Sequence, residues 1–89
     1  MSGYKIGEQL LLQRVADETV ILDPVSGNYF TLDAIGTRMV ELLRELKTVD
    51  AAVVVLAQEY AALPSNIEAD MRALLDQMVQ SGLVAKTAS

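Results

Sequence analysis

Two periods of apolar residues divide the chain. Between Glu8 and Leu32 they come in short runs broken by turn-forming clusters, and after Asp33 they recur every three or four positions. The first pattern predicts strands and the second helices. Glu8 to Val15 (EQLLLQRV) is compact and apolar, and the polar Ala16-Asp17-Glu18 separates it from the β-branched run Thr19-Val20-Ile21-Leu22. These two segments are expected to form strands joined by a tight turn. Asp23-Pro24-Val25-Ser26-Gly27 has the chemistry of a second turn: Pro24 presets φ, Asp23 can accept from a backbone N–H two residues on, and Gly27 admits a left-handed conformation. It leads to a third strand, Asn28 to Leu32, with Tyr29 and Thr31 on one face and Asn28, Phe30 and Leu32 on the other.

Asp33 then suits a helix N-cap, and Ile35, Met39, Val40, Leu42, Leu43 and Leu46 follow at helical spacing, predicting a helix from Ala34 to Glu45 or Leu46. Thr48 caps a second helix, with Asp50 favourably placed in its first turn and Val49, Val53, Leu56, Ala57 and Tyr60 on its apolar side. Ser65-Asn66-Ile67-Glu68 has the form of a capping box, with Pro64 closing the preceding segment. Ile67, Met71, Leu74, Leu75, Met78 and Val79 continue a third helix until Gly82 offers a C-terminal cap.

Three strands of about 17 residues in all cannot bury themselves, so the helices must cover one sheet face. The expected fold is α+β: a small winged helix-turn-helix-like domain, a three-stranded antiparallel sheet followed by three helices. It occupies residues 8–84, with a flexible N-terminus over 1–7 and a flexible C-terminal tail over 85–89. No linker or internal repeat interrupts it, and 89 residues leave room for one core.

Composition narrows the chemistry. The chain has neither cysteine nor histidine, which removes disulfides, thiolate metal sites and the commonest general base. Ser26, Thr31, Thr37, Ser65 and Ser81 therefore have no histidine to activate them, and the carboxylates look like solvated helix faces, so no catalytic residue, metal or cofactor is expected. Ser65, following Pro64, is better explained as a cap than as the carrier serine of an acyl carrier. A net charge of −5 repels phosphate backbones. A winged-helix DNA-binding regulator would read bases with residues 66–81, yet Glu68, Asp70 and Asp76 outnumber Arg72 there. With no long apolar span and no signal-like N-terminus, a cytoplasmic chain without membrane contact is expected.

What remains is a binding surface. In a meander, Asn28–Leu32 is an edge strand whose unpaired N–H and C=O groups are a template for an incoming chain. Met71, Leu74, Leu75 and Met78 on the third helix could wall a groove beside it, although apolar residues at that spacing are more often core. The same edge could pair with its own copy, so a monomer or a weak homodimer is expected.

Leu22-Asp23-Pro24-Val25-Ser26-Gly27-Asn28-Tyr29-Phe30-Thr31-Leu32-Asp33, followed by Ile35-Gly36-Thr37-Arg38 and Glu41-Leu42-Leu43, resembles the PqqD family, the recognition elements for ribosomally made precursor peptides. Thr48-Val49, Asp70 and Gly82-Leu83-Val84 extend the likeness, which runs from about Gln9 to Val84, while Val40 departs from the tryptophan of many relatives.

The resemblance implies a non-catalytic peptide chaperone that takes up the leader of a precursor peptide by β-augmentation, between third strand and third helix. Asn28, Tyr29, Phe30, Thr31 and Leu32 would pair with it. Ile67, Met71, Leu74, Leu75 and Met78 would form the apolar wall, and Asp70 with Asp76 would attract a basic side chain. The implied partners are the leader peptide, the leader peptidase, and the cyclase or another maturation enzyme of lasso-peptide biosynthesis. The alternative the family offers is peptide chaperoning in pyrroloquinoline quinone biosynthesis.

Overall fold

The structure, a computed structural model, describes residues 3–87. Positions 1, 2, 88 and 89 of the expected flexible ends lie outside the described residues. The element order is β1 (Gly3–Ile6), β2 (Leu11–Val15), β3 (Glu18–Leu22), β4 (Tyr29–Leu32), α1 (Ala34–Leu46), α2 (Val49–Tyr60), α3 (Pro64–Gln80) and β5 (Val84–Thr87). Strands β2, β3 and β4 form the expected antiparallel meander in that order, with β4 at one edge and β2 at the other.

Both turns of the meander follow from their residues. A two-residue loop, Ala16-Asp17, joins β2 to β3, and Ala16 takes φ 57°, the left-handed value of hairpin turns whose twist matches the strands. In the next turn the Val25 N–H donates to the Asp23 carboxylate at 2.9 Å, the Gly27 N–H to the Asp23 carbonyl at 2.8 Å, and Gly27 adopts φ 80°. The Val25 N–H holds the Asp23 carboxyl below the usual aspartate range.

Asp33 and Thr48 cap α1 and α2 as expected, accepting from the Gly36 and Ala51 N–H groups at 2.8 and 3.1 Å. Helix α3 begins differently. Its N-cap is Leu63, without a side-chain hydrogen bond, and Pro64 is the first helical residue rather than the end of the preceding segment. Proline fits there because its missing N–H would have had no helical partner. The capping box does not form: Ser65 lies inside the first turn, and Glu68 accepts from Arg72 Nε at 2.9 Å, one turn on.

At its other end α3 closes as the glycine promised. Gly82 takes φ 79°, its N–H donates to the Val79 carbonyl at 3.0 Å, and the Leu83 N–H to the Met78 carbonyl at 3.0 Å. That double bond pattern is a Schellman motif, and its companion apolar residues, Leu83 and Met78, are both buried. The chain leaves the motif as β5, which pairs antiparallel with β1 from Gly3 opposite Thr87 to Ile6 opposite Val84. Residues 3–6 and 85–87, expected within flexible ends, therefore form a second, two-stranded sheet. Its register is anchored by Tyr4, which is buried and donates to Asp76 on α3 at 2.9 Å.

One core joins these parts. Ile21 and Leu32 from the sheet meet Met39, Val40, Leu42 and Leu43 of α1, Leu56 of α2, Met71, Leu75 and Met78 of α3, and Leu83. Around it, Arg38 grips Glu59 of α2 through two hydrogen bonds of 2.9 and 2.6 Å, and Arg14 of β2 donates to Glu41 of α1 at 2.7 Å. The Arg38 hydrogen bonds hold the Glu59 carboxyl below the usual glutamate range. These pairs tie α1 to α2 and to the β2–β3 hairpin but add little stability, since their side chains remain solvent-accessible.

Candidate functional site

Hydrogen-bonding alternation along β3 and β4 decides which backbone groups are free at the edge. The Asp23 N–H donates to the Asn28 carbonyl at 2.8 Å, and Ile21 and Thr19 stand opposite Phe30 and Leu32. In an antiparallel ladder every second pair exchanges hydrogen bonds, so Phe30 and Leu32 are committed to β3 along with the Asn28 carbonyl, while the Asn28 N–H donates to Ser26 Oγ at 3.2 Å. The N–H and C=O groups of Tyr29 and Thr31 point to the open edge. Their side chains lie on the outer sheet face, and Tyr29 is 71% exposed.

On the inner side of this edge a cleft of about 560 Å³ separates β4 from α3. Phe30, Thr31 and Leu32 form one wall; Asp70, Leu74 and Gln77 form the other; Ile35, Gly36 and Met39 of α1 close the floor. Gly36 sets the depth: a Cβ there would stand 3.4 Å from Leu74 and 3.2 Å from the capping oxygen of Asp33. A side chain at that position would fill the floor or push α3 away.

The helix wall differs from the expected one. Met71 and Met78 are 0% exposed, Leu75 1% and Ile67 7%, so these four belong to the core and offer nothing to a ligand in the cleft. They face inward because α3 turns its most apolar stripe towards α1 and α2, where full burial of each contributes about 1.5–3 kcal/mol. Of the expected wall, Leu74 alone is half-buried and open to the cleft, and Asp70 lies beside it. Asp76 is elsewhere, bonded to Tyr4 and 3.8 Å from Lys86 at the terminal sheet, so it does not join Asp70. Asn28 is exposed just ahead of β4, and Leu32 is buried at the cleft's inner end.

Sequence reasoning missed Ile35, Gly36, Met39 and Gln77, which the α1–α3 packing brings to the cleft. Only Gly36 carried a local signal, as a glycine near a helix start. Glu18, Asp33 and Asp70 give the cleft an acidic rim with no lysine or arginine among its described lining residues. No group of described residues could hold a metal ion, and no helix among them is long and apolar enough to cross a membrane.

Fold and site together define a class: a small α+β domain with a three-stranded meander whose free edge runs beside a helix-walled cleft. The family described as coenzyme PQQ synthesis protein D (PqqD) matches residues 18–84, and the chain belongs to that family. Two solved structures share its fold. TbiB1 in complex with the TbiA(β) leader peptide is 32% identical, with TM-score 0.83 over 90% of this chain and 93% of that one. A lasso peptide synthetase B1 complexed with the leader peptide is 20% identical, with TM-score 0.82 over 93% of this chain and 98% of that one. No curated protein sequence matches significantly.

Proposed function

We propose that this protein binds the leader segment of a ribosomally made precursor peptide as a fourth strand beside β4 and delivers it to the peptidase and cyclase of lasso-peptide maturation. The observation that carries the reading is the free Tyr29 and Thr31 backbone beside an open cleft, in a chain 32% identical to a protein solved with a leader peptide. Backbone pairing supplies affinity, and the cleft selects the alternate side chains that point inward against Phe30 and Leu74. The chain's own part is recognition; bond-making belongs to the partners.

The test is a fluorescence-polarisation titration with the labelled leader of a precursor peptide encoded beside this protein, at low and high salt. Saturable binding that survives salt is expected, because strand pairing does not depend on counterion release. Thr31→Pro removes one edge N–H without touching the β3 ladder, and is expected to weaken binding at least about tenfold. Unchanged affinity in that variant overturns strand addition at β4. The family's description favours a second reading, in which the peptide is the precursor of coenzyme PQQ. A parallel titration with that precursor separates the two.

A further inference from the structure

The meander has a second free edge, and its properties differ from those of β4. The two-residue loop makes Val15 and Glu18 a hydrogen-bonded pair, so Val15, Gln13 and Leu11 are committed to β3. The N–H and C=O groups of Leu12 and Arg14 point away from the sheet. Helix α1 packs mainly over β3 and β4 and reaches β2 through the Arg14–Glu41 pair, and four of the five β2 residues are exposed. The strand carries no proline or bulge, and its one charge, Arg14, points to the inner side and is held by Glu41 at 2.7 Å. The edge is thus unblunted by proline or bulge, and its inward-pointing charge, the one protection of that kind it carries, is neutralised by Glu41.

From these features we infer that β2 is a self-association edge, which pairs antiparallel with β2 of a second copy about a two-fold axis through Gln13. That register places Leu12 opposite Arg14 of the second copy and Arg14 opposite its Leu12, so all free backbone groups of the edge meet partners in two hydrogen-bonded pairs. On the outer face Leu11 meets Val15 of the second copy, and the reverse. Leu11 and Val15, 57% and 56% exposed in one chain, become apolar cross-strand pairs. No like charges stand directly opposite.

Charge argues for a second copy at this edge and against one at β4. The cleft beneath β2 is rimmed by Glu8, Glu41 and Glu45 balanced by Lys5, Arg44 and Lys47. The cleft beneath β4 has only carboxylates on its charged rim, so pairing two β4 edges would bring two acidic rims together. The dimer formed through β2 is a continuous six-stranded sheet with both β4 edges left outermost and free.

Sedimentation equilibrium on the wild-type chain up to about 1 mM, the range in which weak association is measurable, is the test. The average mass is expected to climb from 9.6 kDa towards twice that value. Arg14→Pro removes an outward N–H and is expected to stay monomeric, whereas Arg14→Ala, which keeps it, still associates. Leu11→Lys with Val15→Lys changes only exposed positions, sets lysines opposite one another, and is expected to abolish association with the fold intact by circular dichroism. A wild-type mass that stays at one chain overturns the proposal. So does association that persists in both the proline and the double-lysine variants.

Discussion

Helix α3 carries two parallel rows of side chains displaced by one residue. Ile67, Met71, Leu75 and Met78 are sealed in the core, while Asp70, Leu74 and Gln77, each one position before a core residue, line the cleft. A single step of about 100° around the helix therefore separates what holds the domain together from what an added strand would touch. Under the proposed function, stability and recognition would share a helix without sharing residues, so each could be altered alone.

The strongest test of that division is Met71→Glu. An unpaired carboxylate in a fully buried position costs about 3–5 kcal/mol, comparable with the whole stability of a domain this small. Loss of the folded signal by circular dichroism is expected, and a variant that melts normally would show that the inner row is not sealed. Leu74→Glu makes the same chemical change one row over. It should leave the melt nearly unchanged while lowering leader affinity at least about tenfold, because the charge sits where an apolar side chain is expected. A smaller effect comes from Asp70→Asn. Leader affinity should shift by roughly threefold, and the difference should fade in high salt, as for any exposed charge.

The mildest perturbation leaves α3 untouched and acts on the β4 side of the cleft. The Asp23 carboxyl is held below its usual range by the Val25 N–H, so its contribution to the turn is complete above the ordinary aspartate pKa. The contribution is lost as pH falls through the depressed value. Amide exchange in acid should quicken at Val25 and Gly27 before it does along α3. Equal protection in both regions would mean that the turn does not depend on that carboxylate.

Much of this arrangement was legible in the residues. The strands β2 to β4, the caps at Asp33 and Thr48 and the stop at Gly82 are local events, decided by neighbours within a few positions. The edge strand could be named because a meander leaves its last strand unpaired. The helix wall could not, because an apolar stripe does not say which of its flanks a neighbouring element leaves open. Leu74 is half-buried at the cleft, and its neighbour there is Gly36, where a Cβ would stand 3.4 Å from it, a contact between helices that no local pattern announces. The terminal sheet was invisible for a different reason. GYKI and VAKT are four-residue segments with no period, and they meet across almost the full chain length. Pro64 misled because it both ends one segment and begins the next, and its second role prevailed.

The pairing of Gly3 with Thr87 makes the described chain nearly a closed circuit. Its two ends leave from one corner, beside the Asp76 side of α3 rather than the row that lines the cleft. A short bridge between them, with new ends opened at the Ala16-Asp17 loop, would give a circular permutant with the same cleft. By the same geometry, a second domain appended at either end would grow from that corner, and the cleft proposed to receive the peptide would stay open.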